Sequence, residues 1–166
     1  MTTSTSTTGT STTGTSTTGT STAGDLGRTA TVAAIYEAFG RGDVPTILSM
    51  LAEDVLWDAD WADNWGQREH VDLLAPRRGH AGVSKFFTVV GGFTVHEFRV
   101  LDLLESGSQV VAEVVVDLQA PGGGRYRDEE LHRWRFGPDG RVVSMRHYVD
   151  TAKHLAAGRG EDTTRR

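Results

Sequence analysis

The sequence predicts an α+β domain, because helical patterns fill its first half and strand patterns fill its second. Three segments repeat apolar residues at helical spacing, and the later segments have the alternating, β-branched composition of strands. Short turns that contain glycine join the later strands in chain order. We therefore expect helices followed by a largely antiparallel sheet.

One domain is expected, at residues 28–157, with a polar tail on each side. Residues 5–24 are four pentads, TSTTG three times and TSTAG once. This run is too polar to repay the entropy of ordering it, so we expect residues 1–27 to be disordered. The polar C-terminal residues 158–166 are expected to be disordered as well. The remaining length suits one domain with one core.

Composition excludes several classes of partner. The net charge is −5 and the basic residues are scattered, which argues against nucleic acid. No apolar run is long enough to cross a membrane, and the N-terminus lacks the pattern of a secretory signal. The chain has no cysteine, so thiolate chemistry is excluded and a reducing cytoplasm is the expected location. The glycines at 122–124 lie between strands with no helix after them, so no phosphate loop is predicted.

The three predicted helices each carry an apolar stripe along one side. The first helix ends at Gly40, and the third ends at Gly91. Asp43 caps the second helix, which tolerates Pro45 in its first turn. The stripes are Val32, Ile35, Tyr36 and Phe39; Val44, Ile47, Leu48 and Leu51; and Val83, Phe86, Phe87 and Val90.

A short strand and a long loop are predicted between the second and third helices. The strand covers Val55 to Ala59 and alternates, so Trp57 faces one side while Asp58 and Asp60 face the other. The two aspartates are expected in solvent, unless a strand bulge turns one of them inward. The loop that follows, residues 61–78, has no regular period and is expected to border a site.

Residues 127–149 form a predicted hairpin with unusual polar residues on its buried face. The G-P-D-G segment at 137–140 marks the turn. Alternation places Glu130 and His132 on the apolar face of one strand and His147 on that of the other. If Phe136 pairs with Arg141, then Glu130 lies opposite His147, with His132 one pair away.

The preceding strand, residues 110–118, is predicted to supply an apolar frame for these polar groups. Its face of Val110, Ala112, Val114, Val116 and Leu118 is wholly apolar. If Leu118 aligns with Asp128, then Val114 lies beside His132 and Val116 lies beside Glu130. The two histidines and the glutamate would then face a dry pocket.

Three residues in this pocket are candidates for catalysis. We expect His147 to act as a general base and Glu130 to orient it. Glu130 would raise the pKa of His147, whereas burial would lower it, and the two effects together favour titration near neutrality. His132 is either a core residue or the donor that stabilises a developing oxyanion. The expected walls of the pocket are Tyr36, Trp57, Trp61, Trp65, Phe87, Val114 and Val116.

The order of these segments resembles the SnoaL-like and ketosteroid isomerase-like proteins of the nuclear transport factor 2-like superfamily. The resemblance covers about residues 31–157, through the helix ending in LAEDV, the G-x-x-x-V-x-x-F-F helix from Gly79 and the closing segment DGRVVSMRHYVDTA. It implies a cone-shaped curved sheet around a pocket that three N-terminal helices close, and a homodimer packed sheet against sheet. It specifies the fold better than the reaction.

The resemblance carries one functional position over to this chain. The R-x-Y-x-D ending at 146–150 is similar to that of limonene epoxide hydrolase, where the residue after the arginine is an aspartate that acts in proton transfer. Here that residue is His147. Those hydrolases also place an arginine and an aspartate where this chain has Val114 and Val116, so epoxide hydrolysis is not expected. Asp150 is expected to cap the final turn.

The sequence thus predicts a cofactor-independent enzyme that moves a proton on a small apolar carbonyl or polycyclic substrate, by isomerisation, cyclisation or dehydration. The first alternative is a non-catalytic protein that binds a small molecule or acts as a dimeric scaffold. A second is a two-histidine, one-carboxylate site for iron or zinc, although we expect no metal. A third is protein binding through the outer sheet face, which carries Arg99, Arg133, Arg135 and Arg146.

Overall fold

The structure is a computed structural model that describes residues 27–164, and these form helices packed on a six-stranded sheet. This confirms the α+β class. The disorder predicted for residues 1–27 concerns a segment that, except for residue 27, lies outside the described residues. The helices are α1 (Arg28–Gly40), α2 (Val44–Ser49), α3 (Trp65–Arg68), α4 (Gly79–Val90) and α5 (Thr151–Gly158). The strands are β1 (Leu51–Trp57), β2 (Arg77–Arg78), β3 (Thr94–Ser106), β4 (Gln109–Gln119), β5 (Arg125–Phe136) and β6 (Val142–Tyr148).

The strands follow the order β2-β1-β6-β5-β4-β3 in one sheet that does not close into a barrel. The neighbours are antiparallel except for β1 and β6, which run parallel. Irregularities in β3 and at both edges of β6 bend the sheet, as bulges do. The helices α1 and α4 cover the inner face, so the core lies between them and the sheet.

The three predicted helices are confirmed, and α3 and α5 are two additions. Asp43 caps α2, where its Oδ1 accepts a hydrogen bond of 3.1 Å from the Thr46 backbone N–H. Of α5 the sequence predicted only a final turn. Asp150 caps it as expected, because its carboxylate accepts from the Ala152 backbone N–H at 3.1 Å.

The region around the first strand differs from the prediction at both ends. β1 begins at Leu51, because Leu51 pairs with Val142 on β6, and it ends before Asp58. The predicted loop of residues 61–78 contains the short helix α3, a 3-10 turn at Asp72–Leu74 and the two-residue strand β2.

The register of the closing hairpin corrects the sequence prediction by two residues. Phe136 pairs with Val142, not with Arg141, since the Gly137 N–H bonds to the Arg141 carbonyl inside the turn. An irregularity next to Phe136 adds one more residue of shift. These two shifts together preserve which residues face inward. His132 therefore lies opposite His147.

The register between β4 and β5 is also corrected by two residues. The turn is tighter than predicted, since the Ala120 N–H bonds to the Gly124 carbonyl and pairing continues to Gln119 and Arg125. As a result Val114 pairs with Glu130, not with His132. The positions opposite Asp128 and His132 are held by Val116 and Ala112.

The C-terminal segment attaches to the sheet at the start of β5. Arg125 N–H donates to the Glu161 carbonyl at 3.0 Å, and Thr163 N–H donates to the Arg125 carbonyl at 2.8 Å. Residues 161–163, which composition assigned to a disordered tail, thus form an isolated parallel bridge with the start of β5. Residues 165–166 lie outside the described part. Within residues 27–164, no helix combines the length and apolar character that a membrane span requires.

Candidate active site

A small cavity lies between the inner face of the sheet and helices α1, α4 and α5. Its volume is about 80 Å³. Apolar and aromatic side chains make up most of its wall. The residues that bring polar atoms to the wall are Tyr36, Trp57, Tyr126, Glu130, His132, His147 and His154.

Asp58 is fully buried at the end of β1, and its carboxylate points inward to His147. Its backbone turns into the left-handed region, with φ of 52°, a conformation that aspartate tolerates better than most residues. This turn breaks the strand alternation. The prediction that Asp58 is in solvent is therefore wrong, and the alternative of an inward turn describes its position.

Hydrogen bonds on both faces of the sheet fix the position of residues 58–60, which follow β1. Asp58 N–H donates to the Met145 carbonyl at 2.9 Å, and Gln67 Nε2 donates to the Asp58 carbonyl at 2.7 Å. On the outer face the Asp60 carboxylate accepts from Arg146 Nε at 2.5 Å and from Ser144 Oγ at 3.2 Å. Asp60 was also predicted in solvent and is instead largely buried in this ion pair. These contacts fix where the Asp58 carboxylate lies.

His147 and Asp58 form a closely coupled pair. His147 Nδ1 lies 2.6 Å from Asp58 Oδ2, and the His147 backbone N–H donates to Asp58 Oδ1 at 2.9 Å. The proton on Nδ1 is thus committed to the carboxylate, which leaves Nε2 as the nitrogen that can bind another group. Among the described residues no hydrogen-bond partner faces that Nε2.

The pKa of His147 is raised by its surroundings. Burial acts to lower the pKa of His147, but the negative charge of Asp58 and the hydrogen bond to it outweigh burial. Phe86 stacks against the imidazole with ring centroids 5.3 Å apart, and Trp57 packs edge-on at 6.0 Å. The His147 imidazole thus combines an apolar environment with one buried anion.

His132 belongs to a separate, fully satisfied network. Trp134 Nε1 donates to the Tyr36 hydroxyl at 3.1 Å, and that hydroxyl donates to His132 Nδ1 at 2.9 Å. His132 Nε2 then donates to Glu130 Oε2 at 3.1 Å. Burial lowers the pKa of His132, which keeps this imidazole neutral in that tautomer. His132 therefore has no free donor for an oxyanion.

Glu130 is hydrogen-bonded to His132 and His154, whereas the carboxylate that contacts His147 is that of Asp58. His154 Nε2 donates to Glu130 Oε1 at 3.3 Å. Burial acts to raise the pKa of Glu130, but the two histidine hydrogen bonds outweigh it and hold the pKa below its ordinary value. The prediction that Glu130 lies opposite His147 is wrong. The two histidine rings of the hairpin nevertheless meet, with centroids 4.6 Å apart.

Comparison with known proteins identifies the family. Residues 32–145 match the family model of the SnoaL-like domain. The chain belongs to the SnoaL-like family. An NTF2-like protein of unknown function from Burkholderia pseudomallei is 30% identical with a TM-score of 0.65, and the match covers 80% of this chain and 98% of that one. No match to a curated protein was found.

Two more distant structures share the fold of this SnoaL-like domain. TerC, co-crystallised with polyporic acid, is 24% identical with a TM-score of 0.64 over 78% of this chain and 96% of its own. A Mycobacterium tuberculosis protein in complex with estradiol-17β-hemisuccinate is 16% identical with a TM-score of 0.56, over 71% of this chain and 89% of its own. The cone fold inferred from the sequence is thereby confirmed.

The predicted pocket residues of the SnoaL-like domain divide into three groups. Tyr36, Trp57, Phe87 and Val116 line the cavity. Val114 is buried in the core beside Glu130 and does not reach the cavity wall. Trp61 and Trp65 line an adjoining cleft of about 430 Å³, which shares His147 with the cavity. Trp65 is 51% exposed there.

A cluster of buried acidic groups lies next to the cavity of the SnoaL-like domain. Asp128, Glu130 and His154 each offer a ligand atom within 4.8 Å of the others. Lys153 Nζ lies 2.8 Å from Asp128 Oδ1, so the chain's own ammonium group occupies the cation position. The donor set therefore fits an internal ion pair better than a metal site.

Sequence reasoning missed His154 and Tyr126. His154 lies one turn after the Asp150 cap, so the predicted cap could have indicated a histidine on the first turn of a final helix. Tyr126 shares the inward face of β5 with Glu130 and His132, and strand alternation extended to the start of β5 would have included it.

Proposed function

We propose that this SnoaL-like protein is a cofactor-independent enzyme that moves a proton on a small, largely apolar carbonyl compound. The observation that carries the proposal is the 2.6 Å contact between His147 Nδ1 and Asp58 Oδ2, with Nε2 left for a substrate. A buried base with an oriented tautomer and a buried counter-charge suits general acid–base catalysis.

In this reaction His147 Nε2 removes a proton from the carbon next to the carbonyl group. The C–H bond breaks, an N–H bond forms on Nε2, and the electron pair moves into the enolate. The Asp58 carboxylate stabilises the imidazolium that results. Return of the proton to another carbon gives isomerisation, whereas its delivery to a departing hydroxyl group gives dehydration. Such proton transfer contributes about 10²–10⁴-fold to a rate.

The second candidate is small-molecule binding without turnover. The cavity wall is mostly apolar, as ligand pockets are, and two of the structures that share the fold hold small molecules. Whether the substrate reacts is what separates the two candidates, so the test measures proton transfer directly.

The test is deuterium exchange in D₂O at the α-carbons of 2-decalone, a bicyclic ketone, followed by proton NMR. We expect the wild-type protein to accelerate exchange over buffer and His147→Ala to lose at least about 10²-fold of that acceleration. His96→Ala, which removes an exposed histidine on β3, is the matched control and should exchange like wild type. Equal exchange by His147→Ala and wild type, or no acceleration by wild type, would contradict the proposal.

A homodimer is the second part of the proposal. Leu131 and Tyr148 are paired neighbours on the outer sheet face, and both are exposed. A patch of this kind fits a sheet-to-sheet contact between two copies. Sedimentation velocity of the full chain should give a dimer that Leu131→Glu dissociates. A wild-type monomer would contradict this part alone.

A further inference from the structure

The cleft that adjoins the cavity is lined by aromatic rings that reach solvent. Its volume is about 430 Å³, compared with about 80 Å³ for the cavity. Trp61, Trp65 and Tyr148 contribute their rings to it. Trp65 is 51% exposed and Tyr148 is 38% exposed, so part of this aromatic surface is open. Exposed apolar surface in a concave place is typical of a site where a ligand binds.

The rings of the cleft come from different parts of the fold. Trp61 and Tyr148 contact each other, with ring centroids 4.8 Å apart. Trp65 begins helix α3, and within residues 27–164 no ring contact joins it to either of the other two. Aromatic rings grouped around a concave site are the usual means of recognising ammonium ions that carry methyl groups, because the negative face of a ring attracts a cation.

One ring of the cleft already holds a cation of the chain itself. The Arg146 guanidinium lies 4.6 Å from the centre of the Trp61 ring. Its charge is balanced by the Asp60 carboxylate, which accepts from Arg146 Nε at 2.5 Å. In the described part of the chain, no cation lies over the ring of Trp65 or of Tyr148. These two rings are therefore available to a cation that is brought in.

The charges on the cleft wall also favour a cation. Asp63 and Glu129 bring carboxylates to the wall, and the described residues that line it include no lysine or arginine. His147 lines the cleft as well, but its charge is balanced by Asp58. Asp63 pairs with Arg68 at 2.7 Å. Glu129 is exposed, and within residues 27–164 no hydrogen bond or ion pair reaches its carboxylate. The Glu129 carboxylate is thus the counter-charge that the cleft offers to a ligand.

We propose that the adjoining cleft is a second ligand site, which binds a small organic cation, an ammonium ion that carries methyl groups. The rings of Trp65 and Tyr148 contact the methyl groups, and Glu129 supplies the counter-charge. The inference is independent of the proposed function, because it holds whether or not His147 moves a proton. Leu131 and Tyr148 line the cleft and also form the patch proposed for the contact between two copies. The cation and a second copy should therefore compete for this surface.

The experiment compares a charged probe with a neutral probe of the same shape. Choline and 3,3-dimethyl-1-butanol are titrated into the full chain, and the indole N–H resonance of Trp65 is followed by NMR. The ionic strength is held constant, because salt screens exposed charges. The protein concentration is one at which sedimentation velocity gives a monomer. We expect wild type to bind choline about tenfold more tightly than the neutral alcohol.

Variants of the cleft separate the charge from the rings. Glu129→Gln should weaken choline binding about threefold and leave binding of the neutral alcohol unchanged. Trp65→Leu should weaken choline binding about fivefold. Trp65→Phe should retain part of that affinity, because it keeps an aromatic face, and it guards against an effect of Trp65→Leu on folding. Glu53→Gln is the matched control, since Glu53 is exposed on β1 and does not line the cleft, and it should bind choline like wild type.

Equal affinity of wild type for the two probes would overturn the inference. Choline affinity that stays unchanged in Glu129→Gln, or in Trp65→Leu, would overturn it as well. The readout is equilibrium binding in the cleft, whereas the proposed function is tested by exchange in His147→Ala. A failed exchange test with intact choline selectivity would therefore leave the cation site in place and remove only the proposed reaction.

Discussion

His147 Nδ1 lies 2.6 Å from Oδ2 of Asp58, although the two residues are 89 positions apart in the chain. The contact joins the end of β1 to β6, its parallel neighbour. The carboxylate reaches inward because Asp58 adopts a positive φ that ends the strand. Backbone strain of this kind recurs at functional sites, where surrounding contacts hold it in place.

Replacing Asp58 with asparagine should lower the pKa of His147 and reduce catalysis. The amide side chain keeps the shape of the aspartate but removes the charge that stabilises the imidazolium. The acid-side limb of the pH–rate profile, where the rate rises as His147 loses its proton, should lie above pH 6.5 in wild type and move to lower pH in the variant. The maximal exchange rate should fall by about 10²–10⁴-fold, because the amide no longer holds the correct tautomer.

Asp58→Asn should also change how the free energy of unfolding depends on pH. A raised pKa in the folded protein means that the Asp58–His147 contribution is fully present below about pH 6.5 and is lost as the pH rises through the folded pKa. The difference in unfolding free energy between wild type and Asp58→Asn should therefore shrink toward high pH. Asp54→Asn, an exposed position on β1, should show no such trend. A difference that grows with pH would contradict the assignment.

Glu130→Gln should destabilise the fold by about 3 kcal/mol at pH 7, because the amide NH₂ group would face one of the two histidine donors. The pKa of Glu130 is depressed, so its contribution is present above about pH 4.5 and declines as the pH falls further. Urea unfolding at pH 7 and pH 3 measures this. The exposed neighbour Glu129 supplies the control, and Glu129→Gln should be close to neutral. Equal stability of the two variants at pH 7 would refute the network.

Gly124→Ala should destabilise the domain and displace helix α5. A Cβ at this position would lie 2.0 Å from the Ala157 carbonyl oxygen, which no rotamer change can relieve. We expect a loss of about 1–3 kcal/mol and altered chemical shifts for His154. Gly122→Ala lies in the same turn with nothing within 4 Å of the added Cβ, and it should be tolerated. A Gly124→Ala protein as stable as Gly122→Ala would show that α5 does not pack as described.

The fold was predictable because its signals are local. Apolar spacing identified α1, α2 and α4, and strand alternation identified the inward face that carries His132 and His147. The inward-facing residues were predicted correctly although the strand register was not, because the longer turn and the irregularity near Phe136 each shift the pairing by one residue. A shift of one residue would turn each side chain to the opposite face of the sheet, and the second shift turns it back.

The partners of the catalytic candidates were not predictable in the same way. Asp58 breaks strand alternation through one backbone angle, which no neighbouring residue type signals. His154 reaches Glu130 from a helix that follows the sheet, so the contact depends on how α5 packs. Sequence periodicity therefore placed His147 on the inward face but paired it with Glu130 instead of Asp58.

The most direct test of the account is the ionisation of His147, measured by long-range ¹H–¹⁵N NMR of histidine-labelled protein across pH. We predict a proton that stays on Nδ1, titration at Nε2 with a pKa above 6.5, and a lower pKa in Asp58→Asn. A neutral form protonated on Nε2, or a pKa below 6.5 that Asp58→Asn leaves unchanged, would contradict the Asp58–His147 pair as the catalytic unit.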